Sequence, residues 1–189
     1  MLQELAGLRI AILVDDAFEQ VEMTKPREAL NEAGAQTILI SPQSPEVRGW
    51  NQHTPGDTFA VDMPLSQAHA GDFDGLLLPG GVINADTLRT NPQAVEFVRG
   101  FVDAGKAIAA ICHAPWMLVE ANAVRDRTLT SWPSLQTDIR NAGGNWVDRM
   151  VVDDNALVTS RKPDDIPAFN IAAIACFAGH RPVAKAVQR

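Results

Sequence analysis

Cys112 and His113 stand side by side where a run of small apolar residues, AIAAI, ends and Ala114-Pro115 follows. One point of the chain thereby holds a sulfur nucleophile and a group that titrates near neutrality. The apolar run suits a buried strand, and Pro115 suits the first turn of a helix, where no N–H is required. A sharp strand-to-helix turn would expose the Cys112 side chain at a sheet edge. There the helix dipole and free N–H groups favour thiolate, so the expectation is a lowered thiol pKa and a reactive residue, against the alternative of an inert core cysteine. His113 suits an acid–base or an orienting role equally well, because sequence neighbours point apart unless a tight turn brings them together.

Acids must complete such a site. Glu19 follows the first apolar run and reaches the same corner of an α/β sheet. Buried beside a thiolate, it would be protonated by desolvation and like-charge repulsion and would donate a hydrogen bond to sulfur. Glu22 better fits an exposed acid in the first turn of a helix. A histidine held by a third group needs a carboxylate, and Asp86, after the Gly80-Gly81 turn, is the candidate. Gly80 and Gly81 are placed to present backbone N–H groups to an oxyanion. The four histidines and two cysteines lack zinc-site spacing, and neither G-x-G-x-x-G nor a P-loop occurs, so no metal and no cofactor are expected. Cys176, in NIAAIACFAGH, reads as core, and Trp50, Trp116, Trp132 and Trp146 as core or interface anchors.

The elements that must position these residues alternate. Strands are expected at 9–14, 36–40, 73–78, 107–111, 150–152 and 156–159. A helix is expected over 19–33, with Val21, Ala29, Leu30 and Ala33 facing inward, Pro26 kinking it and Gly34 ending it. Another runs over 92–104 from Asn91-Pro92, with Val95, Val98, Phe101 and Val102 inward. Further helices are expected at 115–121, 134–142 and 166–178, and 41–56 reads as a loop with at most short strand pieces. Alternation of this kind makes an α/β sandwich with a mostly parallel sheet and helices on both faces, in one domain spanning 1–189. Strands of such sheets deliver ligand-binding residues at their carboxyl ends, and three apolar runs end in DDAFEQVE, PGGVINAD and CHAPW.

A formal net charge of -7 argues against nucleic-acid and membrane surfaces. No apolar run spans a bilayer, the first residues do not resemble a signal peptide, and two cysteines suit a reducing, cytoplasmic setting.

Taken together, DDAFEQVE, LLLPGGVINADTLR, AIAAICHAPWMLVEA and LTSWPSLQTDIRNAGGNWVD resemble the ThiJ/PfpI family of the class I glutamine-amidotransferase-like superfamily, from Arg9 to about Gly179. The resemblance implies a flavodoxin-like three-layer sandwich that assembles as a homodimer or a higher oligomer. It implies Cys112 as nucleophile, Glu19 as the protonated carboxyl beside it, His113 at the triad histidine position, and Asp86 as a triad acid contributed by a neighbouring subunit. Gly80 and Gly81 would lie by the oxyanion pocket. A-I-C-H-A in place of G-x-C-x-G argues against glutamine amidotransferase activity. The function implied is a cysteine-dependent, stress-defence hydrolase or lyase acting on glyoxal-type aldehydes or their protein adducts. The alternatives are an intracellular cysteine peptidase and a non-catalytic redox sensor or chaperone. Partners would be a second copy and small carbonyl compounds or modified proteins and peptides.

Overall fold

Apolar runs bounded by turn formers become strands that are buried on both faces. The computed structural model describes residues 3–180; positions 1–2 and 181–189 of the expected domain lie outside the described residues. In chain order the elements begin with β1 (Arg9–Leu13), β2 (Phe18–Glu19), α1 (Gln20–Glu32), β3 (Gln36–Ser41), β4 (Glu46–Asn51), β5 (Thr54–Ala60) and β6 (Met63–Pro64). Next come β7 (Gly75–Leu78), α2 (Val82–Arg89), α3 (Pro92–Asp103), β8 (Ala107–Ile111) and α4 (Pro115–Glu120). The chain continues through β9 (Thr128–Leu129), α5 (Gln136–Asn141), β10 (Asn145–Trp146), β11 (Val151–Asp153), β12 (Leu157–Ser160) and α6 (Ile166–Gly179).

The central sheet has seven strands in the order β11-β12-β8-β7-β1-β3-β6. All its pairings are parallel except β11 with β12, so the sheet is mixed but mostly parallel. Side chains alternate across it, as the pleat requires. From β1, Ala11 and Leu13 enter one core with Val98 and Phe101 of α3 and Leu118 of α4. Ile10 and Ile12 enter the other, with Met23 and Leu30 of α1 and Phe169 and Phe177 of α6. The fold is therefore a flavodoxin-like three-layer sandwich. β1 leads outward to β3 on one side, and β7 leads to β8 on the other. The carboxyl ends of β1, β7 and β8 thus lie together at a topological switch point, where α/β sheets bind ligands.

Three local expectations need correction. The segment 41–56 contains β4 and the start of β5, an antiparallel hairpin that joins β2 in a second sheet and rises beside the switch point. Its polar residues disguise it because both strands are largely exposed. α2, directly after Gly81, was not expected. In α1 the inward residues are Glu22, Met23, Pro26 and Leu30, whereas Val21, Ala29 and Ala33 are half-buried. Helix α3 follows expectation, with Asn91 capping Gln93 N and Ala94 N at 3.0 and 3.3 Å.

Candidate active site

Cys112 is the first residue after β8, and its φ of +64° puts it in the left-handed region that non-glycine residues avoid. The conformation is held from both sides: Cys112 N donates to Ser160 O at 3.0 Å and Trp132 N donates to Cys112 O at 2.8 Å. The strand-to-helix elbow expected from AIAAICHAP is present. It turns the thiol toward the end of β7, where Gly80 comes so close that a Cβ would lie 2.6 Å from that of Cys112. Only glycine fits there. Gly81, with φ +95°, lets the chain turn into α2.

The acid beside the thiol is Glu22, which corrects the assignment of Glu19. Glu22 is fully buried and in hydrogen-bonding contact with Cys112. Its Oε2 accepts from Gly80 N at 3.0 Å, while Oε1 is buried without a partner among the described residues. Burial, with a smaller contribution from the nearby Glu19 charge, raises its pKa to about 8, so the carboxyl carries its proton at neutral pH. Glu19 is half-buried three residues earlier; its carboxylate accepts from Gln52 N at 3.1 Å, at the tip of the β4–β5 hairpin. Burial raises its pKa as well, opposed by that N–H and by His53.

The expectation of a lowered thiol pKa also fails. Burial first, and the Glu22 charge second, push Cys112 up, while the N–H groups of Gly81 and His113 pull the other way. The two groups titrate as a pair: both protons are held at neutral pH, the first is lost near pH 8, and the second is held well beyond that. Because Gly80 N is committed to Glu22, it does not face an oxyanion as expected; of the two glycines, only Gly81 directs its N–H to the sulfur.

His113 Nδ1 lies 3.2 Å from Cys112 Sγ, the tight turn supplying the geometry that adjacency alone does not. Its Nε2 is 3.5 Å from Ser134 Oγ, and its ring stacks on Trp132 at 5.7 Å and 25°. Burial lowers its pKa to about 4, so at neutral pH it is a neutral hydrogen-bonding partner. Its ring nitrogens contact that sulfur and that hydroxyl and no carboxylate among the described residues. Asp86 is exposed on α2, so within one chain the three expected triad residues are not assembled.

The sulfur opens into a cavity of about 470 Å³ whose floor is Cys112, His113 and Glu22. Trp50 and His53 of the hairpin segment, Trp132, and Val82 and Ile83 of α2 form its walls. Trp116 and Trp146 pack against the core instead. Asn84, which the sequence reading passed over, braces the site from below. Fully buried, it donates to Pro79 O and Gly80 O at 3.1 and 2.9 Å and accepts from Asp15 N at 2.7 Å. A polar residue two places into an apolar VINA run was the available signal. Cys176 is buried in α6, outside this cavity, and the described residues hold no cluster suited to a metal ion.

Fold and site define a class of α/β proteins built around a nucleophile-elbow cysteine paired with a buried acid. The chain belongs to the DJ-1/PfpI family, whose profile matches residues 8–176. It is 40% identical over 168 residues to the Escherichia coli K12 protein named protein/nucleic acid deglycase 2, covering 88% of this chain and 95% of that one. A Bacillus subtilis relative, YraA, whose name assigns it provisionally to the cysteine proteases, is 40% identical over 163 residues, 86% of this chain and 94% of its own. The crystal structure of Drosophila melanogaster DJ-1beta superposes with a TM-score of 0.81 at 26% identity, covering 91% of each chain.

Proposed function

We propose that the protein is a cysteine-dependent enzyme of stress defence that removes glyoxal-type adducts from amino-acid side chains and acts on the parent dicarbonyls. The observation that carries this reading is the Cys112–Glu22 pair at the floor of an open cavity: a nucleophile and a proton carrier in contact, with a neutral histidine beside them. A relative named as a deglycase supports it.

In the aminocarbinol formed by methylglyoxal, Cys112 Sγ bonds to the carbinol carbon as its C–N bond breaks. The reacting form is the pair that has lost its first proton; the departing nitrogen takes the one that remains, leaving a hemithioacetal on sulfur and Glu22 as a carboxylate. The Glu22 carboxylate then removes the carbon-bound proton and returns it to the neighbouring keto carbon while the carbinol hydroxyl proton passes to the keto oxygen, which yields a 2-hydroxyacyl thioester. Water cleaves the thioester, releases the 2-hydroxy acid and restores the thiol. The sum is hydrolysis with an internal redox exchange between two carbons, and no external oxidant or cofactor takes part. The N–H groups of Gly81 and His113 hold negative charge at the sulfur.

The test is 2-hydroxy acid formation from methylglyoxal-treated Nα-acetyl amino acids. The reading requires a rate above the spontaneous release of methylglyoxal from the adduct. A rate that only tracks spontaneous release overturns adduct removal and leaves an enzyme of free dicarbonyls.

A peptidase reading is favoured by one further observation. Val82 and Ile83, at the cavity rim beside Asp86, are 53% and 52% exposed, an apolar patch suited to a second copy. In a homodimer closed on this patch, the partner copy would bring an acid toward His113, and an oriented histidine is what protonation of an amide leaving group needs. Cleavage of short peptides that disappears together with the dimer would establish it.

A further inference from the structure

Glu19 feels the charge of His53, which lines the same cavity, but forms no salt bridge with it. It takes part in none of the ion pairs among the described residues, and its hydrogen-bond donor is the backbone N–H of Gln52. It nevertheless lines the cavity, half-buried, at a point that the hairpin tip fixes. It stands at the N-cap of α1 with Glu22 three positions on in the first turn, and both line the cavity with Cys112, so a group held by Glu19 lies near the sulfur. Two indoles share that cavity. Trp132 has its inner face stacked on His113 and is still 38% exposed, which leaves its outer face open, and Trp50 stands on the hairpin.

A carboxylate beside indole faces matches one kind of group well: a planar, delocalised cation that stacks while offering paired N–H donors. The guanidinium does both, whereas an ammonium is a point charge without a plane to stack, and a thioether brings neither. The cavity also exceeds what a three-carbon dicarbonyl fills; it lies within the roughly 300–1,000 Å³ range of sites that enclose drug-sized ligands. In an arginine adduct the carbinol carbon is bonded directly to a guanidinium nitrogen. Holding the guanidinium on Glu19 therefore brings that carbon to the floor, beside Cys112.

We propose that Glu19, Trp50 and Trp132 form a recognition subsite for the guanidinium of an arginine side chain, which makes dicarbonyl adducts of arginine the preferred substrates. The inference rests on the adduct-removal reading above. Guanine presents a similar donor edge, but nucleic acid carries phosphates that a chain of net charge -7 repels, so protein arginine is the occupant.

The experiment uses the full chain and methylglyoxal adducts of Nα-acetyl-arginine, Nα-acetyl-lysine, Nα-acetyl-cysteine and guanosine. The expected kcat/KM for the arginine adduct exceeds the lysine and cysteine values about tenfold, and Glu19→Gln brings the ratios near one. Trp50→Leu, away from the α1 turn, lowers the same ratios and serves if Glu19→Gln does not fold. Independently of turnover, unmodified Nα-acetyl-arginine amide slows iodoacetamide alkylation of Cys112, and does so less in Glu19→Gln. Equal kcat/KM for the amino-acid adducts, ratios that survive both substitutions, or a guanosine adduct preferred over arginine would overturn the proposal. Protection by the arginine amide without turnover of any adduct sinks adduct removal and leaves the subsite standing.

Discussion

Glu22 is an acid that the fold keeps neutral next to Cys112, and the consequences are measurable. With a folded pKa of about 8 against 4.5 for a free side chain, its burial favours the folded state least at high pH. Below about pH 4.5 the carboxyl is protonated folded or unfolded and costs nothing. Between pH 4.5 and about 8 the unfolded chain has released a proton that the folded one retains, so stability falls across that range and levels off above it. Glu22→Gln is therefore expected to be more stable than the wild type at pH 8, by on the order of a few kcal/mol, with the gap closing near pH 4.5; thermal unfolding at both values checks it. Cys112 alkylation should rise through an inflection near pH 8 that this variant lacks. An inflection unchanged in Glu22→Gln would assign the titration to another group. Sequence alone placed Cys112 at its elbow and the acid beside it three residues early. β2 extends through Glu19, so α1 begins at Gln20, and that phase turns Glu22 inward with Met23 and Pro26. A charged side chain amid apolar neighbours carries the pattern of a solvated face, and only the tertiary partner, Cys112, shows otherwise.

The hairpin β4–β5 is the element on which the cavity depends and the one least legible in the sequence. Its strands lie largely exposed, so alternation of apolar residues does not mark them. It is fastened to α1 by a reciprocal pair: Gln20 Nε2 donates to Asp57 Oδ2 at 2.7 Å, and Asp57 N donates to Gln20 Oε1 at 2.8 Å. Gln20→Ala is expected to cost about 1 kcal/mol or less in global stability, since both bonds are exposed. It should raise KM and speed amide hydrogen exchange over 46–60. Unchanged exchange there would show that the strand pairing alone holds the hairpin. The strands of the central sheet, in contrast, were plain in advance, because burial on both faces leaves nearly continuous apolar runs. α2 was hidden by its short length and by Val82 and Ile83, which lie outward at the rim.

At the scale of the whole molecule, the sheet order explains why residues from β1, β7 and β8 meet: the chain reverses direction across the sheet between β1 and β7. What one chain leaves open is the apolar rim. Ile83→Arg is expected to leave the fold intact and to convert a dimer into a monomer by light scattering; a wild-type monomer, or a dimer indifferent to the charge, removes the proposed interface. The central claim is that one sulfur performs the chemistry. Its most direct test is the rate of 2-hydroxy acid formation from methylglyoxal, measured for Cys112→Ala and for Cys176→Ala in parallel. The account predicts that Cys112→Ala falls to the uncatalysed rate while Cys176→Ala, altered far from the cavity, stays active. Full activity in Cys112→Ala would contradict it.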